Sequence, residues 1–224
     1  MARDPSDLAK RNVPVLAGQS ILSQVAWTLG SPSVVLPFLA VSFELPMFIA
    51  GALVSVRMVG SMIADFFLAR SIAARPEKKR GIAMTEIAIG TCLLVAMGVA
   101  ATGIVPLIAI AFIAVFFLIG LIDEVQNLML TDLLGDHVHS KSRMMMQYLQ
   151  LGAGGLGAIG LALLLHELTK DNPPFSRHSV VIAVSATFFL LSALSILAMF
   201  EIRKTNSSES NEAKHLGLSL KANI

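Results

Sequence analysis

The stretch IVPLIAIAFIAVFFLIGLIDEVQNLML, residues 104–130, decides the fold of this chain. Its first part, residues 104–122, carries no charged side chain. A helix of about 20 apolar residues is long enough to cross about 30 Å of hydrocarbon. The stretch therefore predicts a membrane-spanning helix in which Asp123 and Glu124 follow the apolar part, toward one end.

Five further apolar stretches flank this one, so we predict an all-α, polytopic membrane protein with six transmembrane helices. Of 224 residues, 55% are hydrophobic and 14% are charged, whereas a soluble domain carries about 25% charged residues. Lipid does not solvate charge, so this composition excludes most soluble enzymes. The predicted spans are residues 16–39, 46–70, 82–102, 104–130, 144–166 and 178–200. We divide the chain into an interfacial segment, 1–15, the helix bundle, 16–204, and a disordered cytoplasmic tail, 205–224.

The Lys and Arg residues alternate between the connections. Of the 17 such residues, Arg57 lies inside a predicted span, and only Lys170 and Arg177 lie on the connections of the opposite side. Loops rich in Lys and Arg stay in the cytoplasm, so we predict a bacterial inner-membrane protein with both termini cytoplasmic. The basic residues on the predicted cytoplasmic side are Arg3, Lys10, Arg11, Arg70, Arg75, Lys78, Lys79, Arg80, Lys141, Arg143, Arg203, Lys204, Lys214 and Lys221.

Arg57 lies about 16 Å from the outer end of the second predicted span, which is close to the bilayer centre. A charge at that depth costs about 2.5–3.5 kcal/mol, so we expect it to face the bundle interior and to have an acidic partner or a wet cavity. One interpretation is an anion-binding or gating arginine. The other is a structural ion pair between helices.

Four acidic residues are candidate partners: Asp65, Glu86, Asp123 and Glu124. A carboxylate shielded from water can bind and release protons. We therefore name Asp65, Asp123 and Glu124 as candidate proton-coupling residues. The alternative is an ion-pair lattice with the basic residues at the inner face of the bundle.

Polar residues also follow helix faces in the first and fourth spans. Gln24, Trp27 and Thr28 share one face by their spacing, and Asn127 extends the polar face of the fourth span. Such residues line a cavity or bond neighbouring helices. We name Gln24, Trp27, Arg57 and Asn127 as candidate substrate-binding residues.

No catalytic or metal-binding motif is recognisable, so we expect no enzyme activity, no cofactor, no metal and no nucleic-acid partner. The single cysteine, Cys92, excludes a disulfide within one chain and a cysteine-based metal cage. His137 and His139 have no evident third ligand. The five glycines of residues 152–160 are spaced for close helix packing, and they follow no strand, as a nucleotide-binding loop would.

Several segments together resemble the major facilitator superfamily. Residues 131–143, TDLLGDHVHSKSR, lead from an acidic-apolar helix end through a short basic loop into a glycine-rich helix. The basic connection after the second span takes the place of the superfamily's loop between helices two and three, although its glycine before the basic run is absent. Residues 31–39, SPSVVLPFL, with Ala50-Gly51 and Arg57 downstream, resemble uncharacterised bacterial members.

The resemblance covers the N-terminal six-helix half of that superfamily. It implies secondary active transport of a small-molecule substrate across the lipid bilayer, in a cavity between two six-helix halves. A chain of one half would need a second copy, as a homodimer, or a separate second half. The alternative is a structural or assembly subunit of a larger membrane complex that does not transport.

Overall fold

The computed structural model describes residues 5–31, 43, 45–73, 75, 77–138 and 140–199. All the regular secondary structure in these residues is helical, as predicted. The elements are α1 (Pro5–Leu29), α2 (Met47–Ala73), α3 (Lys78–Ala100), α4 (Val105–His137), α5 (Ser140–Leu149), a π-helical turn (Gln150–Gly154), α6 (Gly155–Thr169) and α7 (Pro174–Leu197).

The helix α5, the π turn and α6 follow one another without a break, and we call them together the fifth rod. The described residues therefore form six rods. Five of these are long and apolar enough to cross a membrane, which supports a multi-pass membrane protein. The five stretches are Met47–Ile72, Lys78–Ala100, Val105–Gly135, Ser142–Thr169 and Pro174–Leu197.

The helix α1 differs from the predicted first span. It runs over Pro5–Leu29 rather than 16–39, and it is not among the five apolar helices. Its buried side carries Gln19, Ser20 and Ser23 beside apolar residues, and these polar side chains lower its mean hydropathy. Gln19 bonds to Glu86 of α3, and Ser20 bonds to Gln19 within α1. Residues 32–39 of the predicted first span and the predicted tail lie outside the described residues, so the first span stays a prediction.

A tight hairpin joins α3 to α4. Gly103 lies between α3 and α4 with φ 68°, a left-handed backbone that glycine adopts without steric cost. Pro106 lies in the first turn of α4, where a missing N–H breaks no helical hydrogen bond. The turn before α7 is held by Arg177, whose guanidinium donates to the carbonyls of Lys170 and Asn172.

The rods pack in a fixed order across the bundle. The helix α2 packs on α4, α4 on α3, α3 on α7, α7 on α1, and α1 on the fifth rod. The pairings have an internal symmetry. If rods one, two and three are exchanged with rods four, five and six, respectively, the same five pairings result. The smaller contact between α6 and α7 is the one pairing without a counterpart of similar extent.

Basic side chains gather at one end of the bundle. Lys78, at the start of α3, pairs with Asp132, near the end of α4, at 2.9 Å. Lys79 donates to the carbonyl of Met199, just after α7, at 2.9 Å, and Arg143, in α5, donates to carbonyls at the end of α4. These bonds place the basic connections and the end of α7 together, as the alternation of charges predicts. That this end faces the cytoplasm stays a prediction.

The interior holds two main apolar clusters. The larger lies toward the Gly103 end and contains the fully buried aromatic residues Phe112, Phe116 and Phe189. The second lies toward the basic end and includes Leu16, Ile82, Met129, Leu133 and Ile196. Four buried polar residues, one from each of α1, α3, α4 and α7, separate the two clusters along the helices. We call this set the polar layer: Gln19, Glu86, Gln126 and Ser192.

Candidate functional site

Charged and aromatic side chains from three helices meet beside the larger apolar cluster. We call this group the Arg57 cluster: Trp27 of α1, Arg57 and Ser61 of α2, and Asp123 and Glu124 of α4. It contains four of the seven residues named from the sequence as candidate site residues. The other three, Gln24, Asp65 and Asn127, lie outside it.

Arg57 has the acidic partner expected from its depth. Its Nη2 atom lies 2.7 Å from Oδ2 of Asp123, in a hydrogen-bonded ion pair between α2 and α4. The pairing offsets the cost of placing each charge among apolar helices, since an unpaired charge there is strongly unfavourable.

Two glycines permit this pair by bringing α2 and α4 close together. A Cβ atom added at Gly60 would lie 2.2 Å from the carbonyl oxygen of Phe117, and one added at Gly120 would lie 2.0 Å from that of Arg57. Both distances are shorter than any real contact, and the atoms met are backbone. Each glycine is three residues from a member of the ion pair, Arg57 or Asp123. The role of these glycines was not predicted from the sequence, although their spacing from Arg57 and Asp123 is visible in it.

Trp27 connects the ion pair to the bundle interior. The guanidinium carbon of Arg57 lies 5.4 Å from the centre of the Trp27 ring, within the range of a cation–π contact. The same ring packs edge-on against Phe189, with centroids 5.4 Å apart. Trp27 thus contacts both the charged pair and the apolar core.

The two adjacent carboxylates of α4 bond to different residues of α2. Asp123 takes Arg57, while Oε2 of Glu124 accepts a hydrogen bond from the Ser61 hydroxyl at 2.8 Å. The structure shows that both bond to α2, one turn apart.

Two of the named residues lie on the outside of the chain. Asp65 is exposed, two turns of α2 away from Arg57, and Asn127 is exposed one turn beyond Asp123. Their predicted roles in proton coupling and substrate binding stay predictions. Neither is brought into the Arg57 cluster.

Gln24 belongs to a neighbouring polar contact between α1 and the fifth rod. Its Oε1 accepts a hydrogen bond from Gln150 Nε2 at 3.2 Å, and its Nε2 donates to the Thr28 hydroxyl at 3.2 Å. Gln150 begins the π turn, and at the end of that turn a Cβ added to Gly154 would lie 2.7 Å from Cβ of Gln24. The π turn therefore lies at the closest approach of the fifth rod to α1.

The ion pair is not sealed inside this chain. The side chains of Arg57 and Asp123 keep 28% and 21% of their surface exposed. A charged pair that faced lipid tails would lose the solvation it needs. This face of the bundle therefore suits water or a polar protein surface. Chemically, it can hold a polar or anionic group by sharing the arginine.

The polar layer is a second site, and sequence analysis named Glu86 only as a possible counter-charge. Glu86 is 0% exposed. Its Oε1 atom accepts hydrogen bonds from Gln19 Nε2 at 2.7 Å, from Ser192 Oγ at 2.8 Å and from Gln126 Nε2 at 3.2 Å. The signal available in the sequence was the presence of one polar residue at a similar depth in each of four spans.

The described residues contain no group of three or more His, Cys, Asp and Glu side chains arranged to hold a metal ion. Cys92 is a half-buried free thiol. His139 lies outside the described residues, so the His137–His139 pair is not placed. Comparison of the chain with protein-family models, curated proteins and solved structures found no match in any of the three.

Proposed function

We propose that this chain is one six-helix half of a transporter of the major facilitator type. It moves a small polar or anionic solute by alternating access, and it does so together with a second copy or a separate second half. The solute binds at the face that carries the Arg57 cluster. That face forms one wall of the transport cavity, and the partner half forms the other.

The observation that carries this proposal is the partial exposure of an ion pair at mid-depth. Arg57 and Asp123 are bonded to each other and both remain open on one side. Trp27 lies against the guanidinium, and a flat aromatic ring beside a cation is a suitable surface for a small polar solute. A bundle that faced lipid all round would bury this pair completely.

The packing order of the rods supports the same proposal. Exchange of rods one to three for rods four to six leaves the main pairings unchanged. Because successive rods run in opposite directions, the two three-rod units have opposite orientations. Transporters of the major facilitator type carry such inverted three-helix repeats within each six-helix half.

A structural or assembly subunit is the second candidate, and one observation favours it. Asp123 already neutralises Arg57 within the chain, at 2.7 Å, so the arginine does not require an anionic solute. In a structural subunit, the open face would be covered by a partner protein without an intervening cavity.

Cysteine labelling separates the two candidates. In a Cys92→Ser background, Thr28→Cys introduces a thiol on the exposed side of α1, next to Trp27. Leu118→Cys is the matched control, because Leu118 is exposed on α4 two residues from Gly120, at a similar depth. A charged, water-soluble thiol reagent should modify the first variant and spare the second in native membranes. Equal resistance of both variants would contradict the transport cavity.

The mass of the detergent-extracted complex is the second test. We expect either a homodimer or a complex with another six-helix protein, since one half cannot enclose a solute alone. Purified complex is then reconstituted, and Arg57→Ala should abolish transport of the solute it carries. A lone monomer in gentle detergent, or an unchanged transport rate in the variant, would contradict the proposal.

A further inference from the structure

Glu86 occupies the junction of four rods. It lies between Ala83 of the basic-end cluster and Ile89 of the larger apolar cluster, and its three bonded partners come from α1, α4 and α7. The junction is also where the first three-rod unit meets the second. A change of charge at Glu86 therefore acts on the contact between the two three-rod units, which we call the central seam.

The groups that bond to Glu86 are all uncharged: Gln19, Gln126 and Ser192 converge on Oε1, and the Ser23 hydroxyl contacts the same carboxyl group. The second oxygen, Oε2, is fully buried and has no hydrogen-bond partner among the described residues. Oε1 of Gln126 is buried and unpartnered as well. An ionised carboxylate in this position would carry a buried charge without a cation and leave one oxygen unsatisfied, at a cost of several kcal/mol.

The charged groups on the rods around Glu86 are engaged elsewhere or lie at a distance along their helices. On α4, Asp123 pairs with Arg57, Glu124 accepts from Ser61, and Asp132 pairs with Lys78. On α3 itself, Lys79 donates to Met199 and Arg80 pairs with Glu77. On α7, Arg177 and His178 lie in the first turns, about 20 Å along the helix from Ser192. On α1, Lys10 and Arg11 precede Gln19 by at least two turns.

We propose that the polar layer is a proton-binding site and that Glu86 carries its proton in the folded bundle. The protonated carboxyl is uncharged, as its buried surroundings require, and its O–H supplies a donor where the ionised form has only acceptors. Loss of the proton places an unpaired negative charge at the seam between the two three-rod units and weakens it. This inference does not depend on transport, and it concerns a residue outside the proton-coupling set named from the sequence.

Infrared spectroscopy tests the protonation directly. Full-length wild-type protein in lipid nanodiscs at neutral pH should show the carbonyl band of a protonated carboxylic acid, and the Glu86→Gln variant should lose that band. Asp123→Asn is the control and should keep it, because Asp123 is ion-paired. A band that persists in Glu86→Gln, or that disappears in Asp123→Asn instead, would overturn the assignment.

The pH dependence of unfolding supplies an independent readout. A proton held in the folded state but released on unfolding stabilises the bundle most at low pH, and that contribution is lost as the pH rises. Wild type should therefore lose stability from mildly acidic to alkaline buffer more steeply than Glu86→Gln, which stays neutral throughout. Identical slopes would contradict the proposal. So would stabilisation of wild type, but not of the variant, by sodium or lithium ions at constant pH, because the layer would then hold a metal cation.

Discussion

At the scale of single residues, Gly60 and Gly120 control how charge is accommodated between α2 and α4. Each occupies a point where the facing backbone leaves no room for a methyl group. The close approach lets Arg57 reach Asp123 at 2.7 Å without crossing a layer of apolar side chains. The ion pair and its two glycines therefore act as one unit.

The substitution Gly120→Ala should separate these helices. Its Cβ would lie 2.0 Å from the carbonyl oxygen of Arg57, and because backbone cannot yield as a side chain does, we expect a loss of about 1–3 kcal/mol of stability. Thermal unfolding of the purified protein in detergent measures the change.

The matched control is Gly51→Ala, on α2. A Cβ there meets nothing within 4 Å, so this variant should unfold at the wild-type temperature or slightly above it, since Ala favours helix over Gly. If Gly120→Ala unfolds like Gly51→Ala, the helices are not held at this distance.

What the sequence can predict at this scale is depth along a helix rather than rotation about it. Depth was enough to predict that Arg57 needs an acidic partner inside the bundle. Choosing Asp123 over Glu124 or Asp65 requires the rotation of α4 against α2, which is set by the fit of Gly60 and Gly120. Because rotation cannot be predicted, the sequence indicated Glu86 as a possible counter-charge but not its partners Gln19, Gln126 and Ser192.

At the scale of elements, the seam between α1 and α7 is built from serine hydroxyls bonded to backbone carbonyls. Three serines spaced along one face of α7 place their hydroxyls within hydrogen-bond distance of carbonyl oxygens of α1, and the single O–H of Ser192 is shared between the Gln19 carbonyl and Glu86. Such bonds satisfy polar groups that lipid cannot. The pairs are Ser185 with Ala26 at 2.8 Å, Ser192 with Gln19 at 3.1 Å, and Ser195 with Val15 at 3.3 Å.

The variant Ser185→Ala should weaken this seam. Ser185 is fully buried and bonds across to Ala26, so its removal should cost about 0.5–1.5 kcal/mol. Thr187→Ala is the control, because Thr187 is exposed and its hydroxyl bonds within α7, to Ala183. Chemical denaturation in mixed micelles compares the two. A larger loss in Thr187→Ala than in Ser185→Ala would contradict the role of the seam.

Apolar length predicted the ends of the five long apolar rods to within about four residues, except the end of α4, which runs to His137 rather than to 130. It placed the first span at 16–39, whereas α1 covers Pro5–Leu29. A helix that bonds to its neighbours through polar groups is less apolar than one that faces lipid. Apolar length also gave no sign of the π turn at Gln150–Gly154, which lies where Gly154 packs on Gln24. The predicted close packing of the glycine-rich segment is seen at Gly154 and Gly157, whereas a Cβ added at Gly152, Gly155 or Gly160 would meet nothing within 4 Å.

At the scale of the whole molecule, the bundle has one basic end. Lys78, Lys79 and Arg143 bond to helix ends there, while Lys170 and Arg177 lie at the opposite end. Alternation of Lys and Arg along the sequence was enough to predict this sorting. The prediction succeeds because the orientation of each span depends on the charges at its flanks and not on how the helices pack afterwards.

The orientation of this basic end can be measured with single cysteines in a Cys92→Ser background. Arg75→Cys and Asp171→Cys place exposed thiols at the two ends. A membrane-impermeant thiol reagent applied to intact cells should modify only Asp171→Cys, and permeabilised cells should show both. Modification of Arg75→Cys in intact cells would reverse the topology, and with it the predicted cytoplasmic termini.

The interlock of α1 with α7 also has a consequence for the order of biosynthesis. The carbonyl of Gln19 in α1 bonds to Ser192 in α7, which is 173 residues later in the chain. At about 5–20 residues per second, synthesis of that stretch takes about 10–35 s. During this interval the α1 groups that bond to Ser185, Ser192 and Ser195 have no partner in α7. We therefore expect this face of α1 to stay at the bilayer surface or within the insertion machinery until α7 has left the ribosome.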